Sequence, residues 1–486
     1  MPSPSIYWHD YEAGGVNPRA DRPMQFAGIR TDRDLQIIGK PLEIYCQLAP
    51  DYLPHPEACL ITGITPQTAN QRGVPECELA RLIHAEFSQA DTTIVGYNNI
   101  RYDDEMSRFL FYRNFYDPYG YSWENNNSRW DLLTLVRAAY ALRPEGIEWP
   151  LNADGSVSLK LDQLAPANGI EHSNAHDAMA DVYASIEMAR KIKTQQPKLY
   201  QYTFTIRSKK ALIELVKTAL VNQTMLVHVS GMFGAENRYV RWVYPLAFHP
   251  ENANQLIAWR LDTNPEQWRD ITAENIRELL YQRKDELTGE RPGLITITLN
   301  QCPFLAPEKT LAAEQAVLAG IDVNAAENYR NMLANNAALR EHLLSVMVRD
   351  ASSTPAQTDE HQHERSIDTD LALYSGGFLS QQARTHARMI REANPEALAD
   401  INLPWDDTRL PILLFRYRAR NFPHTLSPAE MHRWRQHCRN RLILGEDGFL
   451  SSDEYMLKIE QLAEAHQNNP QKMAILKALA NYLLEL

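Results

Sequence analysis

Apolar and polar residues in the first part of the chain follow two patterns in turn. The stretches IYWHDYE, MQFAGIRTD and LEIYCQLA, which begin at Ile6, Met24 and Leu42, are rich in β-branched and aromatic residues and predict strands. TTIVGYNN, from Thr92, predicts a short buried strand that ends in turn residues. Apolar residues at helical spacing predict helices over 75–89, 103–115, 129–142 and 176–196. Strands in a run, followed by strands and helices in alternation, indicate an α/β domain with a mixed sheet over residues 1–192.

The rest of the chain has a different pattern. TMLVHVSGMFG, YVRWVYPLAFH and LITITLNQCPFLA predict β-structure, and with the interleaved helical stretch ITAENIRELLYQRKDEL they indicate an α+β domain with a small sheet or barrel over 197–350. The polar stretch RDASSTPAQTDEHQHERSIDTD has no apolar periodicity and predicts a linker. Helical patterns then continue to the end of the chain and predict a mostly α-helical third domain over 356–486.

Composition places the chain among ordinary globular proteins. Of its 486 residues, 44% are hydrophobic and 23% are charged, and no apolar run has the length of a membrane span. The beginning of the chain lacks the pattern of a secretory signal. The five cysteines are scattered and form no CxxC pair, which argues against a disulfide framework or a zinc site and favours a reducing cytoplasm. The net charge of −12 argues weakly against nucleic-acid binding, although a metal-dependent nuclease also needs a dense acidic centre.

The first strand carries the first candidate chemistry. Asp10 and Glu12 are two residues apart, so their side chains point to the same face of a strand. Like charges this close repel each other, and burial strengthens the repulsion. The pair therefore belongs either to a solvated edge strand or to a metal site, and further acids in the right places would favour the metal.

The second candidate acid follows the buried strand at Thr92. Asp103 begins a predicted helix in GYNNIRYDDE, where an acid would also serve as a cap, and Asp104 is the neighbouring alternative. We prefer Asp103, because Tyr102 can pack inward while the Asp103 carboxylate turns to the site.

The third candidate segment is HSNAHDAMADVYASI. His176 and Asp181 are five residues apart, about 140° around one helix, so His176 is expected on the entering loop with Asp177 as the cap. Asp181 would then point from the early helix toward the sheet. His172 and His176 are also spaced like a zinc pair, but HExxH and a third soft ligand are missing.

These residues together indicate a site for hard divalent cations. Carboxylate oxygens suit Mg²⁺ or Mn²⁺ better than zinc. A pair of such ions about 3.5–4 Å apart can clamp a phosphodiester for in-line displacement. His176 would take the proton of the attacking water, since imidazole titrates near neutral pH.

The chain also resembles a known family. HDYEAGG, LITGITPQ, GYNNIRYDDE, NSRWDLL, NGIEHSNAHDAMADVY, LVHVSGMFGA and FRYRARNFP resemble the DEDDh group of 3′→5′ exonucleases and, within it, the bacterial exonuclease I family. The resemblance implies a ribonuclease H-like exonuclease domain, an SH3-like α+β domain and a C-terminal helical domain, arranged as a clamp that makes degradation processive. It maps the family's active-site pattern onto the following residues: Asp10, Glu12, Asp103, His176 and Asp181.

Several expectations follow from this resemblance. The four acids would hold two Mg²⁺ ions, with Mn²⁺ as a substitute, and His176 would be the general base. The substrate would be single-stranded DNA, released as 5′-mononucleotides in DNA repair and recombination. A partner would be the acidic C-terminal tail of the single-stranded-DNA-binding protein. The enzyme would be a cytoplasmic monomer without membrane contact.

Substrate contacts are expected outside the acidic set. The stretch 98–130 interleaves arginines with aromatic residues, as in a wall that binds a single strand, and Arg108, Tyr119 and Trp123 are its candidates. The resemblance adds Glu12, Lys160 and Arg143; Lys160 stands where the family has Arg, which predicts a less oriented phosphate contact. The basic stretch FRYRARNFPHTLSPAEMHRWRQHCRNR suggests an electrostatic funnel or a dock for an acidic peptide.

Two other functions stay open from the sequence alone. A DEDDh exoribonuclease would share the acidic set, although such relatives are usually short, single-domain chains. A non-catalytic scaffold that binds single strands or a partner protein would not need the complete set of acids with His176.

Overall fold

The structure is a computed structural model that describes residues 3–171, 177–283, 285–287, 289–348, 367–375 and 377–486. His172 and His176, and most of the predicted linker, lie outside these described residues. The chain forms two compact units, the first from residues 1–129, 172–186 and 362–486 and the second from residues 130–171 and 187–361.

The strands and helices of the described residues have the following bounds. The strands are β1 (Ser5–Ala13), β2 (Pro23–Thr31), β3 (Leu42–Tyr45), β4 (Thr92–Gly96), β5 (Ser128–Asp131), β6 (Leu226–Val229), β7 (Val240–Phe248), β8 (Gln255–Arg260), β9 (Leu294–Thr298) and β10 (Phe304–Pro307). The α-helices are α1 (Pro56–Thr62), α2 (Pro66–Arg72), α3 (Glu76–Phe87), α4 (Asp103–Arg113), α5 (Leu132–Leu142), α6 (Leu161–Ala167), α7 (Ala178–Gln195), α8 (Pro197–Ile206), α9 (Lys209–Asn222), α10 (Ala273–Tyr281), α11 (Ala313–Leu318), α12 (Val323–Asn335), α13 (Ala337–Ser345), α14 (Gln381–Glu392), α15 (Arg409–Asn421), α16 (Pro428–Leu444), α17 (Ser452–Ala465) and α18 (Pro470–Glu485).

The first sheet is mixed, as predicted, and has the strand order β3-β2-β1-β4-β5. β1 lies at its centre, antiparallel to β2 and parallel to β4. Central strands are covered on both faces, and β1 is accordingly buried along almost its whole length. Tyr7 and Tyr11 point to one face and join an apolar cluster with Phe26, Phe87 and Leu110. The opposite face is left for the polar residues of the site.

The second sheet is antiparallel and has the order β10-β6-β7-β8-β9, with helices α10 to α13 in the same unit. It is the small sheet predicted for the α+β domain. A register shift between Pro245 and Ala247 interrupts the pairing of β7 with β8. A proline inside a strand cannot donate to the ladder, so an irregularity there is expected.

The C-terminal region is helical and packs within the first unit. Buried residues of α17 and α18, such as Tyr455, Leu476 and Leu479, form one apolar cluster with Cys59 of α1 and Ala69 of α2. A second cluster joins α14 and α15 to α4. The C-terminal helices are therefore part of the core that supports the first sheet.

Several sequence predictions need correction. Residues 129–131, predicted as the start of a helix, belong to β5, and the helix begins at Leu132 because the side chain of Asp131 caps it. The helix predicted over 176–196 ends at Gln195, and Pro197 opens α8 at its first turn, where its missing N–H costs nothing. Strand β8 and helices α1, α2, α6 and α15 were not predicted. Among the described residues, no helix is both long and apolar enough to cross a bilayer.

Candidate active site

The site begins on β1, where side chains alternate between the two faces. Tyr7, His9 and Tyr11 pack against aromatic rings in the core, so Asp10 and Glu12 point to the other face. The pairing with β2 shifts between Glu12 and Ala13, which is a bulge at the end of the strand. Bulges are common beside active sites, because they redirect a side chain and end the pairing.

The edge of β1 beside Asp10 is unpaired with β4, because the pairing of these two strands ends before Asp10. The β1–β4 ladder runs only from Ser5 to Trp8 on β1. Beyond Gly96 the chain turns through Asn98, whose φ of 63° is left-handed, and then enters α4. Parallel strands share their carboxyl edge, so this turn brings the first residue of α4, Asp103, to the edge where Asp10 lies.

The two neighbouring acids of α4 have different surroundings. The carboxylate of Asp104 is buried and accepts hydrogen bonds from Arg129 Nη1 at 2.5 Å and from Asn99 Nδ2 at 3.2 Å. Asp103 is also buried, and its charge acts on both Asp10 and Glu12 and raises their pKa values. This arrangement favours Asp103 over Asp104 as the acid that faces the site.

Helix α7 supplies the remaining acid. Its first turn is capped by Asp177, whose Oδ1 accepts the N–H of Met179 and of Ala180 at 3.1 Å each. Val182 and Ile186 are buried, and Asp181 is half-buried beside the strand acids. His176, the predicted general base, lies outside the described residues, as does His172.

Three carboxylates converge on one point. Side-chain oxygens of Asp10, Glu12 and Asp181 lie within 4.8 Å of one another. Burial, followed by the charges of Asp181, Asp103 and Asp177, raises the pKa of Glu12 to about 8. Burial and the neighbouring acids also hold the pKa of Asp10 well above its ordinary value. Such a set of crowded oxygen donors is compensated by a hard divalent cation, and the residues therefore fit the predicted metal.

The loop after Glu12 contains positions where only glycine fits. A Cβ on Gly15 would lie 2.3 Å from Asp21 Oδ2, and one on Gly14 would lie 2.3 Å from the hydroxyl oxygen of Tyr52. The hydroxyl of Tyr102, next to Asp103, donates to the carbonyl oxygen of Gly15. The loop thus connects the residues that follow Glu12 to the residue before Asp103. The Gly-Gly pair directly after D-x-E was the available sequence signal for it.

Predicted substrate contacts in the first unit lie along and after α4. Arg108 Nη1 donates to Glu105 Oε1 at 2.6 Å, and its guanidinium carbon is 5.6 Å from the ring centre of Tyr119. Trp123 is 63% exposed, so its ring is open to a ligand. Tyr121, in the same stretch, is in the core.

Two predicted contacts belong to the second unit. Lys160 is exposed and immediately precedes α6. Arg143 directly follows α5 and lines a cavity of about 420 Å³ with Lys198, Tyr202 and Thr310. The cavity combines cationic groups with apolar walls.

The prediction that the basic stretch near the C-terminus forms an electrostatic funnel or a peptide dock is wrong for four of its arginines. The side chains of Arg416, Arg418, Arg420 and Arg441 are at most 11% exposed, and each is paired with a carboxylate. Their charge is neutralised inside the first unit, so these four do not form an electrostatic funnel or a peptide dock.

The chain matches three family descriptions along its length. Residues 7–189 match the family described as exonuclease, residues 207–348 match the exonuclease I SH3-like domain, and residues 367–486 match the exonuclease I C-terminal domain. Exodeoxyribonuclease I of Haemophilus influenzae is 45% identical over 99% of this chain and 98% of its own. Exodeoxyribonuclease I of Escherichia coli is 44% identical over the same shares.

Solved structures agree with these matches. Escherichia coli exonuclease I in complex with a dA16 oligonucleotide superposes with a TM-score of 0.92 at 43% identity, covering 99% of this chain and all of the other. SSB/exonuclease I in complex with the inhibitor CFAM gives a TM-score of 0.88 at 41% identity, with both chains covered in full. A zinc-bound form of the Escherichia coli exonuclease I–ssDNA complex gives 0.90 at 43% identity, with 99% of each chain covered.

Proposed function

Since this chain belongs to the exonuclease I family, we propose that it hydrolyses single-stranded DNA processively from the 3′ end and releases 5′-mononucleotides. The observation that carries this proposal is the convergence of Asp10, Glu12 and Asp181 within 4.8 Å, with the charge of Asp103 acting on the same point. The DNA-bound relative with a TM-score of 0.92 supports a single strand as substrate.

The cofactor we propose is a pair of Mg²⁺ ions held by Asp10, Glu12, Asp103 and Asp181, with Mn²⁺ as a substitute. All four residues offer hard oxygen donors, which suit these ions. When bound, such ions activate water and neutralise charge on the leaving oxygen. Zinc in a relative supports metal binding in the family but does not identify the natural ion.

The side chains of this chain would divide the remaining work. Glu12 lies at the bulge near the end of β1, and we propose that its carboxylate also contacts the terminal nucleotide. We assign His176 the removal of a proton from the attacking water, because it directly precedes Asp177, the residue that caps α7. The cap at Asp177 would keep the entering loop close to Asp181, one turn further along the helix.

Other parts of the chain would hold the strand and a partner. Arg108, Tyr119, Trp123, Arg143 and Lys160 are the proposed strand contacts, since they combine cations with aromatic surfaces. The SSB/exonuclease I relative supports binding of the acidic tail of a single-stranded-DNA-binding protein. We propose the domain boundaries 1–192, 197–350 and 356–486, and a monomer that acts in the cytoplasm.

A labelled-strand assay tests this function. A 5′-labelled DNA oligomer is incubated with the protein and Mg²⁺, then with EDTA, beside an RNA oligomer of the same sequence. We expect a ladder that shortens from the 3′ end on DNA only and disappears with EDTA. Equal degradation of RNA would indicate an exoribonuclease.

The variant Asp10→Ala separates catalysis from binding in the same assay. It should lose turnover and still bind the strand, because it removes a metal ligand without touching the proposed strand contacts. If Asp10→Ala keeps the full activity of the protein, the acidic cluster is not the active site.

A further inference from the structure

A buried acid of the C-terminal region is surrounded by arginines. Asp370 lies in the short 3₁₀ segment Thr369–Tyr374 and is fully buried. Its carboxylate accepts from Arg420 Nη1 at 3.0 Å and from both Nη atoms of Arg441 at 3.3 Å. Arg416 Nη1 is 3.1 Å away. Burial alone would raise the pKa of Asp370, but these arginines, with Arg420 first, hold it well below the ordinary value.

One further arginine that hydrogen-bonds to Asp370 belongs to the exonuclease part of the chain. Arg22, directly before β2, donates from Nη2 to Asp370 Oδ2 at 3.4 Å. Its Nε lies 3.8 Å from Glu76 Oε2, at the start of α3. The side chain is only 4% exposed, so its charge depends on these two acids for compensation.

The backbone and neighbour of Arg22 hold the loop that follows Glu12. The carbonyl oxygen of Arg22 accepts the N–H of Gly14 at 3.0 Å. The carboxylate of Asp21 accepts from the Asn17 N–H and from the Tyr52 hydroxyl, each at 2.8 Å. A shift of Arg22 would therefore move both ends of the loop 14–22.

This loop touches two of the three segments that carry the proposed metal ligands, β1 and the start of α4. It begins two residues after Glu12. The carbonyl oxygen of its Gly15 accepts a hydrogen bond from the hydroxyl of Tyr102, which is the residue immediately before Asp103. A continuous chain of contacts thus runs from Asp370 through Arg22 and the loop to the acids of the site.

We propose that Asp370 is a positioning residue for the exonuclease reaction, which acts through Arg22 to hold the loop 14–22 and, with it, Glu12 and Asp103. The C-terminal region would then set the geometry of the catalytic site in addition to any contact with the strand. This inference rests on the proposed function, because its readout is the turnover of single-stranded DNA.

The chain offers a closely matched control within the same ion network. Asp368 is buried and accepts from Arg416 at 2.7 Å twice, and Arg441 Nη2 lies 3.0 Å away. It also caps the 3₁₀ segment by accepting the Asp370 N–H at 2.9 Å, and an Asn can keep this cap. Within the described part of the chain its ion pairs are with Arg416 and Arg441 and not with Arg22, so Asp368→Asn weakens the network without loosening the loop directly.

The experiment measures kcat and KM on a labelled single strand with Mg²⁺, well below the melting temperature of each full-length variant. Asp370→Asn and Arg22→Gln should each lower kcat about 100-fold, the effect of misplacing reacting groups by about 1 Å, with KM changed less. Asp368→Asn should keep kcat within about threefold. The double variant Asp370→Asn/Arg22→Gln should be no slower than the slower single variant, because both changes break one chain of contacts.

The outcomes separate this inference from the proposed function. If folded Asp370→Asn or Arg22→Gln keeps kcat within about threefold, or if the two losses multiply in the double variant, the positioning role is wrong. Should Asp370→Asn not fold, Arg22→Gln decides, and unchanged kcat in that variant would overturn the inference. The charge-keeping Arg22→Lys can retain the ion pair with Asp370 and should lose less kcat than Arg22→Gln; an equal loss in the two would also overturn the inference. Asp10→Asn is run alongside: retained turnover in that variant would instead overturn the proposed function.

Discussion

Removing one of the proposed catalytic acids should make the metal-free protein more stable at alkaline pH. Glu12 is 8% exposed, and burial with the charges of Asp181 and Asp103 raises its pKa from 4.5 to about 8. In the unfolded chain its pKa returns to the ordinary value, so the folded state binds the additional proton between these two values. Stability of the metal-free protein must then fall as pH rises from about 4.5 and level off above about 8.

The size of this effect follows from the pKa difference. At about 1.36 kcal/mol per unit, an ionised Glu12 destabilises the fold by an amount on the order of 4 to 5 kcal/mol above pH 8. Glu12→Gln removes the charge and keeps the shape, but its buried amide forfeits some hydrogen bonding, so a net gain of about 2–4 kcal/mol is expected. Turnover should be lost in the same variant.

Thermal unfolding in EDTA at pH 6 and pH 9 measures this gain. Glu12→Gln should melt several degrees above the unmodified protein at pH 9 and close to it at pH 6. Glu76→Gln is the control of opposite sign, because Glu76 accepts from Arg113 Nε at 3.1 Å and its loss leaves a buried arginine uncompensated, which costs about 3–5 kcal/mol. The reasoning is refuted if Glu12→Gln melts below the unmodified protein at pH 9, or if the two melt alike at both pH values.

Three further predictions concern single groups. His176→Ala should reduce kcat by about two to four orders of magnitude in the labelled-strand assay, as for loss of a general base; a smaller loss would mean another group accepts the proton. Asp103→Asn should abolish turnover with no loss of thermal stability. Asp104→Asn breaks a 2.5 Å hydrogen bond from Arg129 and should lower the free energy of unfolding by about 3–5 kcal/mol. The reverse pattern would exchange the roles of the two acids. The pKa values of Asp51 and Asp370 lie well below 3.8 because nearby arginines outweigh the effect of burial. The ionised carboxylates therefore stabilise the fold fully above that pH, and this stabilisation is lost as the pH falls through their folded-state pKa values. Circular dichroism should show unfolding that begins only below about pH 4, and loss of structure by pH 5 would contradict this.

Local patterns predicted the elements around the site well. The alternation in IYWHDYE indicates that Asp10 and Glu12 share a face of the strand. β1 has this arrangement because Tyr7 and Tyr11 pack into the apolar core on its opposite face. The apolar stripe after Asp177 predicted α7 for the same reason, since Val182 and Ile186 are buried. These predictions succeed because the burial of one face determines the register of a strand or helix.

Long-range partners could not be predicted in this way. Arg416 and Arg420 look like solvated charge in the sequence, but they are buried against Asp368 and Asp370, which stand about fifty residues earlier. Periodicity contains no information on which distant acid compensates a buried arginine. The helical start predicted at residue 129 failed for a related reason, because pairing in the sheet outweighed helical propensity over β5.

The most direct test of the account is to locate the metal ions. Crystals soaked in Mn²⁺ with a short single-stranded oligonucleotide would be measured at the manganese absorption edge. The account predicts anomalous peaks within coordination distance of the carboxylates of Asp10, Glu12 and Asp181, with Asp103 holding one of the ions. Peaks elsewhere, with these carboxylates lacking a bound ion, would contradict it.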